Sequence, residues 1–331
     1  MTEVLPNPCV IVARCPEGNP VPGDFALQPA QQPESGVAAE VLYLSIDPYL
    51  RGRLSGRHVT GAIAPGQPME SELVVRTVED SAAGPAGTLA RAFGPWQSRV
   101  RVPEQALNAI PDGLDPPSLA LGVLGMPGLT AYAGVERILQ PAPGQTLVVS
   151  AAAGPVGATV GQLGKAAGAR VIGIVGSPEK ADWLREAAGF DGCIDRHAPL
   201  GEALDALCPD GIDMYFDNVG GAILQAVMER LALNARVALC GLMDQYNQAE
   251  VPPGPNPGLV IRARATMRGL VVYDHEDLRP RMEEELGGRI RDGSLAYREA
   301  VFEGLESAPT AFCRLMAGQT FGKAVVRLQA S

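Results

Sequence analysis

The sequence predicts an α/β fold in two parts, a doubly wound parallel sheet and a smaller, irregular β domain. Three observations carry this expectation. The chain has 331 residues, more than one ordinary hydrophobic core serves. Thr146–Gly157, TLVVSAAAGPVG, runs from a branched apolar stretch through a glycine turn into a helical pattern. Beyond it, strand and helix patterns alternate, whereas residues 1 to about 120 hold only short apolar runs cut by Pro and Gly.

The bulk properties exclude several classes. The formal net charge is −10 and no basic stripe is present, so nothing is built to neutralise nucleic-acid phosphates. No apolar run reaches membrane-spanning length. The opening stretch MTEVLPNPCVIVARCPEG has no basic segment ahead of an apolar block, and Pro6 and Pro8 interrupt it, so no signal peptide is expected. The six cysteines are scattered with no CxxC, which suits a reduced, cytoplasmic protein.

In the β domain, strands are expected at Cys9–Ala13, Glu40–Ile46, Leu73–Val78 and Ser98–Val102, and Gly84–Gly87 reads as a turn. Ser45–Gly52 is a strand ending in an Asp-Pro turn that presents Tyr49 and Arg51. On the residues alone, a packed Tyr and a solvated Arg are the simpler expectation, and a Tyr closing a substrate pocket is the functional one. Leu121–Tyr132 joins the two parts. Its small residues at 122, 125 and 128 suit a helix N-terminus, or the close approach of a ligand or backbone.

Thr146–Ser150 reads as a buried parallel strand. Ala152, Gly154 and Gly157 then stand at the spacing of a dinucleotide-binding turn, and Val156, Val160, Leu163 and Ala167 continue at helical spacing. Gly154 leaves room for a pyrophosphate, Gly157 lets the helix lie on the strand, and the helix N-terminus attracts phosphate. The next strand, Val171–Val175, ends in Gly176-Ser177 with no acid to bond a ribose 2′-hydroxyl. Ser177 is expected as N-cap, Pro178 as first helical residue, and Lys180 in the first turn, where a cation opposes the helix dipole unless an anion binds. The pocket favours NADP over NAD. Further strands are expected at Ile212–Phe216, Arg236–Cys240 and Met267–Val272. Asn218, Gly241 and the loop to Tyr246 should face the nucleotide, with an Asx turn as the simpler role for Asn218. Glu283–Arg291 and Thr310–Ala317 read as amphipathic helices, and Lys323–Leu328 as a strand returning to the first domain.

No metal site is expected. The β domain offers only Cys9, Cys15 and His58, while His197 and His275 lie in the second domain. Without a Lewis acid, hydride addition to an activated C=C bond is the easier chemistry, because an enolate needs only hydrogen-bond donors.

SIDPYLRG, GMPGLTAY, AAAGPVGATVGQLGK, GSPEK, YFDNVGG, CGLMDQYN, LVVY and FGKAVV occur in this order. Together they resemble the zinc-independent medium-chain dehydrogenase/reductases of the prostaglandin reductase, leukotriene B4 12-hydroxydehydrogenase, alkenal double-bond reductase and curcumin-reductase type, from about Asp24 to Leu328. The resemblance implies a GroES-like β domain (1–122 with 305–331) and a Rossmann domain (123–304). It further implies a homodimer and NADPH-dependent reduction of α,β-unsaturated ketones or aldehydes.

Residues matching cofactor contacts are Ala153, Gly154, Pro155, Val156, Lys180, Asn218, Cys240, Gly241, Leu270, Val271 and Val272. Tyr246 matches the donor near the substrate carbonyl and nicotinamide ribose, and Tyr49 a pocket residue. Arg196 stands where the family usually has a Tyr by the adenosine, and can stack on adenine or meet the 2′-phosphate. Thr320 replaces the usual Asn at a cofactor contact. Pro65–Glu72 and Thr88–Gln97 follow the family loosely, so the substrate is left open. A quinone oxidoreductase, a pathway-specific enoyl reductase and a non-catalytic nucleotide binder are the competing expectations. The last is opposed by Tyr246 beside the glycine turn and Lys180.

Overall fold

The computed structural model describes residues 7–30, 35–111, 113–250 and 252–328. The chain divides into two compact units, Met1–Leu121 with Glu299–Ser331, and Gly122–Arg298.

The first unit begins with β1 (Pro8–Val12) and β2 (Phe25–Pro29), an antiparallel pair. It continues through β3 (Val37–Ile46), α1 (Tyr49–Leu54), β4 (Glu70–Thr77), β5 (Leu89–Pro95), β6 (Arg99–Val102) and β7 (Asn108–Ala109). The second unit holds α2 (Met126–Gly134), β8 (Thr146–Ser150), α3 (Pro155–Ala166), β9 (Arg170–Val175), α4 (Pro178–Glu186), β10 (Gly192–Asp195), α5 (Leu200–Leu207), β11 (Ile212–Asp217) and α6 (Gly221–Met228). It ends with β12 (Leu231–Leu239), α7 (Gly258–Ala263), β13 (Thr266–Gly269) and α8 (Arg279–Arg291). The chain then returns to the first unit with β14 (Glu299–Glu303), α9 (Ala308–Met316) and β15 (Lys323–Arg327).

The main sheet of the first unit runs β14-β15-β3-β4-β5-β7, with β6 also pairing β3. β15 lies antiparallel to β3, Ala324 opposite Ile46, and parallel to β14. The second boundary therefore falls at Glu299, ahead of the expected 305. Trp96 and Phe312 anchor the interior. The Trp96 indole donates to Ser71 Oγ at 2.8 Å, and Phe312 meets Phe25 and Trp96 edge-on. The expected strands lie within β1, β3, β4 and β6, give or take a few residues. β2, β5 and β7 were not expected. β5 (LARAFGP) carries Arg91, Phe93 and a Gly-Pro end that hide its period, and β2 has a terminal Pro that an edge position tolerates.

The second unit contains a six-stranded, all-parallel sheet of order β10-β9-β8-β11-β12-β13. The strand order reverses between β8 and β11, so a ligand crevice is expected beyond the carboxyl ends of those two strands. Every residue of β8 is buried, as both faces of a parallel sheet require. One expected strand is shorter than read. Met267–Val272 forms strand only to Gly269, because after the Leu270 amide bonds Leu239 O (2.9 Å) the chain coils into a 3-10 turn, Val272–Leu278. Among the described residues, no helix is long and apolar enough to cross a membrane.

Candidate functional site

The glycine turn is a strained, tightly packed corner. Ala151 carries the left-handed conformation (φ 47°), one residue before the position that the spacing singles out. Gly154 is extended and N-caps α3, followed by Pro155 at the first helical position, so the first amides of a twelve-residue helix face outward. A Cβ on Gly154 would find only Ala151 O, at 3.4 Å, whereas one on Gly157 would press Ala151 O at 2.7 Å and Ala152 Cα at 2.8 Å. Gly157 is thus required by packing, while Gly154 leaves space above the turn.

At the end of β9, Ser177 caps α4 and accepts the Lys180 amide at 3.4 Å. Arg196 follows β10, its amide bonded to Val175 O (2.8 Å), and its guanidinium lies over Gly176. Its Nε donates to His197 Nε2 at 3.1 Å. Burial, and then the Arg196 charge, push the Lys180 ammonium below the usual lysine range. Glu179, in the first turn of α4, acts on the Lys180 ammonium in the opposite direction and more weakly. Glu179 pairs with Arg298 at 3.7 Å, and Asp195 accepts the His197 amide. A hydroxyl, helix amides and two cations in one place fit the 2′-phosphate of an NADP-type ligand.

The ends of β11 and β12 form the third group. Asn218 makes no Asx turn. Its side-chain amide donates to Ser150 O (2.7 Å), which ties β11 to β8. The turn is made instead by Asp217, which accepts the Val219 and Gly220 amides; sequence reasoning missed it, although an Asp before Asn-Val-Gly-Gly is a turn signal. The loop from β12 follows, with Cys240 and Gly241 donating to Asp217 O. Tyr246 closes that loop on itself, its hydroxyl accepting the Leu242 amide at 3.4 Å. Burial raises its phenol further above neutrality, so it stays protonated and able to donate. Burial likewise pushes the Cys240 thiol up to about 12 and leaves it unreactive. Leu270 is buried, while Val271 is exposed beyond β13.

Tyr49 and Thr320 belong to the first unit. Tyr49 opens α1 and its ring lies 5.0 Å from that of His58, whose Nδ1 bonds Thr60 Oγ1. Arg51 is not solvated as expected. It is 4% exposed and donates to Pro16 O and Gly18 O, because α1 turns it inward to hold the 16–18 loop. The turn before Tyr49 is pinned from far along the chain. Asp47 (4% exposed) pairs with Lys323 (2% exposed) and accepts the Ser45 hydroxyl. Thr320, half-buried, lies just ahead of that lysine.

Residues 155–286 match the zinc-binding dehydrogenase family, and residues 9–110 match the N-terminal domain of oxidoreductase family. The chain is 40% identical over 330 residues to an NADPH-dependent curcumin reductase of Escherichia coli, covering 96% of both chains. The chain belongs to the medium-chain dehydrogenase/reductases. Within this family it is also 38% identical to a 2-alkenal reductase (NADP(+)-dependent) of Nicotiana tabacum, over 98% of both chains. CurA of Vibrio vulnificus, solved in complex with NADPH, superposes with a TM-score of 0.92 at 36% identity, over 98% of this chain and all of that one. Although the matched family is described as zinc-binding, no group of three or more His, Cys, Asp or Glu is placed to hold a metal among the described residues.

Proposed function

We propose that this medium-chain dehydrogenase/reductase reduces the C=C bond of α,β-unsaturated ketones or aldehydes with NADPH. The observation that carries the reading is the gathering of Ser177, Lys180 and Arg196 at the end of β9, in the same unit as the Tyr246 phenol. The turn Ala153–Gly157 would receive the pyrophosphate, and Asn218, Cys240, Gly241 and Leu270–Val272 would border the nicotinamide half. Thr320 is a further cofactor contact. When bound, the dihydronicotinamide supplies a hydride to the β-carbon of the substrate. Tyr246 donates a hydrogen bond to the carbonyl oxygen as it gains enolate charge, which lowers the barrier only where charge develops, and the enolate then takes a proton from solvent water at its α-carbon to give the saturated carbonyl. Tyr49 is a second substrate contact. The reaction runs without zinc and the enzyme is a cytoplasmic homodimer. Six free thiols support the reducing setting, and light scattering tests the dimer.

The deciding experiment follows NADPH loss with a panel of enals, enones and quinones, with NADH as control and product mass as readout. A saturated carbonyl product formed with NADPH, and far less with NADH, is expected. Oxidation of NADPH by quinones alone, with no saturated product, would overturn the reading in favour of a quinone oxidoreductase.

A further inference from the structure

Asp217 is wholly buried at the point where the strand order reverses, and its two carboxylate oxygens are used unequally. Oδ1 accepts four hydrogen bonds, from Tyr215 OH (2.7 Å), Gly220 N (2.9 Å), Val219 N (3.0 Å) and Ser150 Oγ (3.1 Å). Oδ2 is sealed and accepts none. A buried carboxylate with one idle oxygen is a poor way to gain stability, and the convergence of four donors on its other oxygen points to geometry. We infer that Asp217 is a positioning residue, which sets the turn on which the Tyr246 loop hangs and so aims the Tyr246 hydroxyl. The inference rests on the role proposed above for Tyr246.

The path from carboxylate to phenol is continuous within one unit. The four donors come from the ends of both central strands and from the turn, so a single oxygen fixes β8, β11 and residues 219–220 together. Ser150 Oγ in turn accepts the Asn218 amide at 2.8 Å. Gly220 can turn its amide inward because it adopts φ 74°, a conformation that glycine reaches without strain. The backbone of this turn then carries the second loop. Cys240 N and Gly241 N reach Asp217 O at 2.8 and 3.1 Å, Met243 N reaches Asn218 O at 3.4 Å, and Asp244 N reaches Val219 O at 3.1 Å. These four bonds leave Tyr246 two residues beyond the last rung, with its hydroxyl folded back on Leu242 N. A neutral amide in place of the carboxylate keeps an acceptor but loses the charge that lets one oxygen hold four donors.

Hydrogen exchange on the full-length protein tests the first half without any need for turnover. In Asp217→Asn, the amides of Gly241, Met243 and Asp244 should exchange about ten-fold faster or more, with β9 and β10 unchanged. Tyr215→Phe removes one of the four donors and should shift the same amides in the same direction by a smaller factor; it carries the test if Asp217→Asn does not fold. Native protection of residues 241–246 in the variants would overturn the inference.

The second half is a double-mutant cycle in steady-state reduction. Asp217→Asn should lower kcat about ten-fold or more while the KM for NADPH changes less than about three-fold. In the Tyr246→Phe background, the same substitution should lower kcat less than about two-fold. Equal losses in both backgrounds would show that Asp217 does not act through Tyr246 and would overturn the inference. If the unmodified protein reduces no enone, the proposed activity fails instead, and the exchange data still decide whether Asp217 holds the loop.

Discussion

At the scale of single residues, the site depends on charges whose partners lie elsewhere in the chain. Lys180 sits below its ordinary range because burial and Arg196 both disfavour its proton. It is charged below that lowered pKa, so NADPH affinity should be full at neutral pH and fall as the pH rises through it, earlier than for an ordinary lysine. Arg196→Ala should weaken NADPH about ten-fold, the worth of one charge-assisted hydrogen bond, and also move that alkaline fall to higher pH. Fluorescence titration across pH, with NADH as an unaffected control, checks both statements. Lys323 poses the opposite case, a buried cation inside a pair. Lys323→Met should destabilise the protein by about 3–5 kcal/mol, because Asp47 is left charged in the interior. Arg327→Met, which breaks an exposed, solvent-screened pair with Glu303, should leave the urea midpoint nearly unchanged, and urea unfolding compares the two. The Ser177–Lys180 end was legible from local chemistry, since an N-cap, a proline and a cation follow within four residues. The inward turn of Arg51 and the Lys323–Asp47 pair were not, because their partners are distant in sequence.

At the scale of elements, the glycine turn separates two jobs that one motif combines. Gly157→Ala should lose about 1–3 kcal/mol, since its Cβ would meet backbone that cannot move without lifting α3 from β8. Gly154→Ala should leave stability within about 0.5 kcal/mol, as its φ is ordinary and its surroundings open, yet weaken NADPH by crowding the phosphates. Thermal melts with and without NADPH distinguish the two variants. Failure of Gly154→Ala to weaken binding would remove the pyrophosphate from this turn. The strand–turn–helix was readable because its period, branched residues and glycines all act within twelve residues. The length of β13 was not. Leu270–Val272 is as apolar as a strand, but β13 is the sheet edge, and the chain leaves it once Leu239 O has been used. Asp217 escaped notice for a related reason: a turn aspartate is common, and only the tertiary arrangement shows four donors meeting on one oxygen.

At the scale of the whole molecule, the chain order makes the two units unequal as folding problems. Residues 122–298 are contiguous, and all six strands of their sheet pair with one another. The first unit is closed only by the end of the chain. β15 lies between β14 and β3, and Ala324, Val325 and Val326 are almost wholly buried there. A fragment of residues 122–298 should therefore melt cooperatively by itself and retain NADPH binding, since the glycine turn, Ser177, Lys180 and Arg196 all lie within it. A fragment of residues 1–121 should show no cooperative transition. It keeps β3 but lacks the strand that covers its edge, and an uncovered apolar strand edge favours association over folding. Adding a peptide of residues 299–331 should restore the transition, because it supplies β14, α9 and β15 with the Lys323 that neutralises Asp47. Calorimetry of the three samples decides the matter. A cooperative melt of residues 1–121 alone would mean that β3 and its neighbours carry a sufficient core, and that the buried Lys323–Asp47 pair orients the Tyr49 turn without being needed to fold it.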